Sequence, residues 1–339
     1  MIKAQNEGII LEKTSLEFEN QAVLNPACIE KNGIIHLYYR AVGEGNVSSI
    51  GYCKLKDPTK VFERMTAPLL FPEYDYEKQG VEDPRIVEID GVYFLTYTAY
   101  DGRNARIAYA VSHDLAHFEK QGLISPDMSY DEAEDYFREL PISERYLMFE
   151  SYYKDKLGKN VMLWEKDASL FPEKINNKFA LLHRILPGIQ IIYFNDFKDL
   201  TKKYWIEYLK SLDKFILLDP KFLFENRNIG GGCPPIKTKE GWLLIYHAVE
   251  DIPGGKTYHA SAALLDLQNP QKVLGRLREP LFSPEEPWEK MGAVKNVVFP
   301  TGAIVREGKL YIYYGAADTL IAAKSVELEE LLYELKKHK

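Results

Sequence analysis

Apolar and polar positions alternate along this chain in short stretches that return in a fixed order. Ile35-His36-Leu37-Tyr38-Tyr39, Phe94-Leu95-Thr96-Tyr97, Leu243-Leu244-Ile245-Tyr246 and Leu310-Tyr311-Ile312-Tyr313-Tyr314 carry the aromatic and β-branched residues of half-buried strands. A turn signal precedes each: Asn32-Gly33, Asp90-Gly91, Glu240-Gly241 and Glu307-Gly308, with Asn176-Asn177 ahead of a further copy, Leu181-Leu182-His183-Arg184. Before each turn stands a proline, and the five markers Pro26, Pro84, Pro172, Pro235 and Pro300 are 58, 88, 63 and 65 residues apart. Small alternating strands follow, such as Ser49-Ile50-Gly51-Tyr52 and Ser261-Ala262-Ala263-Leu264. Proline has no N–H for a ladder, so it is expected to mark the start of a strand. The pattern predicts five four-stranded meanders. Radial repetition of such units protects their edges, so the expected fold is all-β, a five-bladed β-propeller forming one domain over residues 1–339.

Two segments depart from the strand pattern. An acidic stretch from Asp127 to Glu144 occupies much of the 88-residue interval, and Tyr204, Trp205, Tyr208, Leu209 and Leu212 recur at helical spacing between Asp199 and Lys214. Both are expected as short helical insertions on one face, offering substrate contacts or a homo-oligomer interface. From Ser325 to Lys339, leucines on one side and lysines at the end predict a C-terminal helix.

Composition narrows the partners. A net charge of −7 argues against nucleic acid or an anionic membrane surface as the main partner. Cys28, Cys53 and Cys233 form no paired motif and read as thiols in a reducing compartment. Residues Met1 to Lys13 lack an apolar leader, and no apolar run approaches bilayer length, so a cytoplasmic location is expected. Neither metal-ligand spacing nor a cofactor motif is present.

Polar residues at the ends of the inner strands carry the candidate chemistry: Asn25, Arg40, Glu82-Asp83-Pro84-Arg85, Glu173-Lys174, His183-Arg184, His247 and Asp318. Charges converging on one axis are costly unless they pair or bind something, which suggests a polar small-molecule site. Asp83 stands out, because a carboxyl near other carboxyls can have its pKa raised and act as a general acid; pairing with Arg85 would account for it equally.

Taken in order, Asn25-Pro26, Tyr39-Arg40, Glu82-Asp83-Pro84-Arg85, Leu170-Phe171-Pro172-Glu173-Lys174, Pro234-Pro235, Ile245-Tyr246-His247, Phe299-Pro300-Thr301-Gly302 and Tyr313-Tyr314-Gly315-Ala316-Ala317-Asp318 resemble glycoside hydrolase family 130. That family holds β-mannoside phosphorylases and inverting β-mannosidases on a five-bladed propeller. The resemblance implies Asp83 as general acid, acting in the phosphorylases through a sugar hydroxyl. It implies Asn25, Arg40, Glu82, Arg85, Lys174 and Asp318 as the mannose-binding set, and Arg184 and His247 as ligands of inorganic phosphate, a co-substrate if the chain is a phosphorylase.

Two departures favour water as nucleophile. Asn228 stands where the phosphorylases tend to carry lysine, and Glu207 and Glu250 lie near the expected anion pocket in sequence, where a carboxylate would repel phosphate and could activate water. An exposed helix face explains Glu207 without catalysis, and a loop position explains Glu250. The main expectation is an inverting β-mannosidase, its expected substrate a small β-1,2-linked manno-oligosaccharide, with Asp83, Glu207 and Glu250 as catalytic residues. The alternative is a β-mannoside phosphorylase releasing α-mannose 1-phosphate. A non-enzymatic binding propeller is the distant reading, opposed by the density of ionisable groups.

Overall fold

The structure, a computed structural model, describes residues 2–158 and 160–337. Five antiparallel meanders follow one another. The first comprises Ala22–Lys31, Ile34–Val42, Ser48–Asp57 and Lys60–Arg64; the second Gly80–Ile89, Val92–Tyr100, Ala105–Ser112 and Glu119–Leu123. The third holds Lys166–Leu170, Phe179–Arg184, Ile189–Phe194 and Ile216–Leu218, and the fourth Asn228–Gly231, Trp242–Ile252, Gly255–Leu265 and Val273–Arg276, with Ile236–Lys237 paired beside them. In the last, Val298–Arg306, Lys309–Ala316 and Leu320–Glu327 are joined by the N-terminal strand Gln5–Leu11 as outer partner, which ties one end of the chain to the other. The first two meanders merge into one eight-stranded sheet through a single parallel bridge, Ser48 to Gly80. Each of the four resulting sheets is open, with two edges.

The prolines sit differently from the expectation. Pro26, Pro84 and Pro300 lie inside strands, at register shifts between Leu24 and Ala27, Glu82 and Arg85, and Pro300 and Gly302. At the first two shifts the proline is among the unpaired residues of the bulge, so its missing N–H costs nothing there; at the last, Pro300 keeps its place opposite Tyr314 and Thr301 is the residue left out. In the third unit the equivalent shift falls between Lys166 and Ser169, ahead of Pro172, which lies in the connection to the next strand.

A second repeat underlies the first. Glu19, Glu77, Glu165, Glu225 and Glu289 are wholly buried, one per unit. Four accept a hydrogen bond from a tyrosine of the second strand: Tyr39 to Glu19 (2.8 Å), Tyr97 to Glu77 (3.1 Å), Tyr246 to Glu225 (2.7 Å) and Tyr314 to Glu289 (2.5 Å). Those four are also paired with Arg64, Lys120, Arg276 and Lys324 respectively. A buried carboxylate is tolerated when it is both paired and hydrogen-bonded. In the third unit His183 takes the tyrosine's place, 2.7 Å from Glu165, with its other ring nitrogen 2.8 Å from the Tyr208 hydroxyl.

Tyr208 belongs to the helix Lys202–Leu209, whose Trp205 donates to the Ile124 carbonyl at 3.0 Å. The insertion therefore buries Trp205, Tyr208 and Leu209 in the core between the second and third meanders instead of presenting them as a contact face. The acidic stretch forms the helix Tyr130–Phe137, started by a capping box between Ser129 and Glu132. A longer helix that the pattern did not predict, Arg145–Leu157, follows it. At the C-terminus Leu328–Lys337 is helical with Leu331, Leu332 and Leu335 buried; residues 338 and 339 of the expected helix lie outside the described residues. Among the described residues no helix is long and apolar enough to cross a membrane.

Candidate functional site

The bulges build the site. Asn25, Asp83 and Asp167 occupy equivalent bulge positions in the first three meanders, with φ of 48°, 51° and 57°. Asn and Asp tolerate this left-handed region better than other residues with a side chain. All three line one cavity of about 210 Å³, together with Arg40, Lys166, Arg184, Tyr258, Phe299 and Asp318. The fourth meander contributes space: a Cβ on Gly230 would come within 2.4 Å of both Asp167 Oδ2 and His247 Cε1. Asp318 arrives from the Ala317-Asp318 turn, both residues at positive φ.

One group of charges centres on Asp83. Asn25 Nδ2 donates to Asp83 Oδ1 at 2.8 Å, and the Arg40 guanidinium lies 3.6 Å from the same oxygen. Arg40 is itself held by Glu82 at 2.8 Å and by the Ser48 hydroxyl at 2.9 Å, and Glu82 reaches Lys166 at 3.4 Å. Burial alone would raise the pKa of Asp83, but Arg40, Lys166, the Asn25 amide and Arg85 outweigh it and hold the carboxyl below its ordinary value. This reverses the expectation from sequence, because cations, not carboxylates, dominate its surroundings. Asp318 is the group that moves up, to about 6, driven by burial and then by the charges of Asp83 and Glu82 against the opposing Arg40 and Lys166.

A second group centres on Arg184. Its guanidinium lies 2.8 Å from Asp167 Oδ2 and 3.3 Å from His247 Nε2, while its Nε is buried without a hydrogen-bond partner among the described residues. Because an arginine N–H can only donate, Nε2 of His247 accepts and the ring proton sits on Nδ1. Burial pushes the His247 pKa down to about 3, and Arg184 and Arg85 add to this against Asp167, so the imidazole is neutral and adds no positive charge.

The structure thus brings Asn25, Arg40, Asp83, Arg184 and Asp318 to one cavity. Glu82 and His247 stand behind it, orienting Arg40 and Arg184. Arg85 is fully buried, donates to the Asp83, Pro84 and Gly232 carbonyls, and supports the bulge from below instead of lining the cavity.

Three expected residues lie elsewhere. Lys174 pairs with Asp90 at 2.8 Å on the outside, because the third unit places its inner strand before Pro172. Glu207 is exposed, pairs with Lys210 at 3.0 Å and lines a separate surface groove. Glu250 bonds His259 at 3.1 Å; it lies three residues beyond His247 on one strand, and strand side chains alternate faces, so the two point to opposite sides of the sheet.

Lys166, Asp167, Tyr258 and Phe299 were missed. A signal for the first two was available: Phe18-Glu19, Tyr76-Glu77, Trp164-Glu165, Phe224-Glu225 and Trp288-Glu289 repeat an aromatic-Glu step that marks the approach to every inner strand. Among the described residues no group of three His, Cys, Asp or Glu side chains is placed to hold a metal ion.

A family model described as beta-1,4-mannooligosaccharide phosphorylase matches residues 7–337. A 1,2-beta-oligomannan phosphorylase of Thermoanaerobacter sp. (strain X514) is 36% identical over 341 residues, covering 98% of each chain. A beta-1,2-mannobiose phosphorylase of the same strain is 34% identical over 352 residues, covering 98% of this chain and 99% of that one. Among solved structures, the beta-1,2-mannobiose phosphorylase of Listeria innocua in complex with beta-1,2-mannobiose superposes with a TM-score of 0.70 at 24% identity, over 94% of this chain and 93% of that one. At that identity the likeness speaks for the fold alone.

Proposed function

The chain belongs to glycoside hydrolase family 130 and is an enzyme of the glycoside hydrolase and phosphorylase class, and we propose that it is a phosphorylase of β-1,2-linked manno-oligosaccharides built as a five-bladed propeller. The blade reading rests on the five meanders and on the N-terminal strand completing the last one. Phosphorolysis replaces hydrolysis as the main reading on one observation: Glu207 and Glu250, the carboxylates that favoured water, both lie away from the cavity, while Arg184 lines it with an unpartnered Nε. The relatives' names point the same way.

In this reading the terminal mannose lies against Asn25, Arg40 and Asp318. Phosphate is held by Arg184, with neutral His247 and buried Asn228 at its side. A phosphate oxygen forms a bond to the anomeric carbon as the bond to the leaving oxygen breaks on the opposite face. Asp83 supplies the proton to that oxygen, through a sugar hydroxyl as the family resemblance implies. Inversion converts the β-linkage into α-mannose 1-phosphate. A cation at the anion site is required because the nucleophile must be drawn from water and aimed.

One observation favours water instead. Asp167 Oδ2 is buried and ion-paired with Arg184 at 2.8 Å but accepts no aligned hydrogen bond among the described residues, and a carboxylate there could serve as base. Product analysis on β-1,2-mannobiose, with and without inorganic phosphate, separates the two. Mannose 1-phosphate formed only with phosphate supports phosphorolysis. Free mannose at equal rates in both conditions refutes it and turns attention to Asp167.

A further inference from the structure

A second cleft of about 230 Å³ adjoins the candidate site and shares Arg184 and Tyr258 with it. Among the described residues its lining carries four cations, Lys156, Arg184, Arg227 and Lys256, and no carboxylate, in a chain whose net charge is −7. Two elements form it: the helix Arg145–Leu157, inserted between the second and third meanders, and the long hairpin of Trp242–Ile252 with Gly255–Leu265.

Aromatic faces, not acids, hold much of this charge in place. The Lys156 ammonium lies 5.6 Å from the Tyr152 ring centre, and the Arg227 guanidinium 5.6 Å from Phe149 and 5.7 Å from Tyr152. A ring face orients a cation without cancelling its charge, so the cleft keeps a positive potential. Among the described residues Arg227 alone of the outer three is partly neutralised, by Asp251 at 3.2 Å. Among the described residues the Lys256 ammonium makes no ion pair or hydrogen bond, and burial followed by the Arg227 charge lowers its pKa despite nearby Tyr152 and Asp251. Positive charge that leads to the half-buried Arg184 calls for an anion.

We propose that Lys256, with Arg227 and Lys156, forms an outer anion station through which inorganic phosphate reaches Arg184. This deepens the phosphorylase reading and rests on it. A cleft lined by one sign of charge concentrates its counter-ion and speeds capture, an effect that salt weakens.

The test is steady-state kinetics on β-1,2-mannobiose and inorganic phosphate with wild type, Lys256→Met and Lys256→Arg. For the methionine variant, KM for phosphate is expected to rise about fivefold or more. KM for mannobiose should stay within about twofold, because this cleft captures only the anion. The salt dependence of kcat/KM for phosphate should flatten, and arginine should restore wild-type values. An unchanged KM for phosphate in Lys256→Met, with wild type forming mannose 1-phosphate, overturns the station and leaves the phosphorylase reading intact. If wild type proves to be a hydrolase, calorimetric titration of both proteins with inorganic phosphate decides. Binding that the substitution weakens keeps the cleft as an anion site; equal or absent binding removes it.

Discussion

Replacing Asp318 by asparagine is expected to stabilise the protein at neutral pH while impairing its chemistry. Burial, reinforced by Asp83 and Glu82, lifts the Asp318 pKa from 3.8 to about 6. An acid with a raised folded-state pKa contributes stability that is full below pH 4 and is lost as pH rises through 6, because the unfolded chain ionises first. At about 1.4 kcal/mol per pH unit, the move corresponds to about 3 kcal/mol above pH 7. Asparagine keeps the shape, tolerates the φ of 54° at this turn and never ionises. With an unfolding entropy of about 2.1 cal/mol/K per residue, the gain is a rise of about 4 °C in Tm. Scanning calorimetry from pH 4.5 to 7.5 should show the two melting curves converging at the acid end and separating progressively above it. Equal Tm at pH 7.5, or a difference that does not change with pH, would refute the argument. KM for the mannoside should rise in the same variant, since the carboxylate that strains the fold is also placed to bind a sugar hydroxyl.

Asp83→Asn should lower turnover by about 10²–10⁴, the usual contribution of a general acid, with circular dichroism and Tm unchanged; near-wild-type activity would remove Asp83 from that role. Glu207→Gln and Glu250→Gln should retain activity within about twofold, and a loss of about 100-fold or more in either would restore that residue as a base. Tyr246→Phe deletes a buried hydroxyl that donates to Glu225 at 2.7 Å and accepts from Arg276 at 3.0 Å, so it should cost about 1–3 kcal/mol in chemical denaturation while leaving the kinetics of the folded enzyme alone.

Residue patterns that repeat within one strand were legible from sequence, and patterns set by register were not. The period-two runs and their turn pairs, Asn-Gly, Asp-Gly, Asn-Asn and twice Glu-Gly, placed all five hairpins, because alternation and turn geometry act over fewer than ten residues. Proline was a poorer ruler. In the first two units it follows the bulge residue directly, so Asn25 and Asp83 could be found beside Pro26 and Pro84. In the third, alanine follows Asp167, and the proline five residues on drew attention to Lys174, which the fold sends outward. Glu207 and Glu250 failed for a different reason: distance along the chain says nothing about which face of a strand or helix a side chain occupies. The aromatic-Glu step would have served better than proline, since each of these glutamates is buried under the hairpin of its own unit.

The charge balance of the cavity bears on how Asp83 can hold a proton. Around it stand four cations, Arg40, Lys166, Arg184 and, beneath the bulge, Arg85, against Glu82, Asp83, Asp167 and Asp318, so the formal charges of the empty site balance. In that state Arg40 and Lys166 keep Asp83 ionised, which is the wrong form for a general acid. A phosphate dianion placed at Arg184 would tip the balance strongly negative. Added negative charge raises the pKa of nearby carboxyls, so occupation of the anion site favours a proton on Asp83 or Asp318. The nucleophile would thereby help to arm its own acid. The same near-neutrality means the inner site attracts phosphate only weakly from a distance, and cations further out, on Lys256, Arg227 and Lys156, would supply the missing attraction.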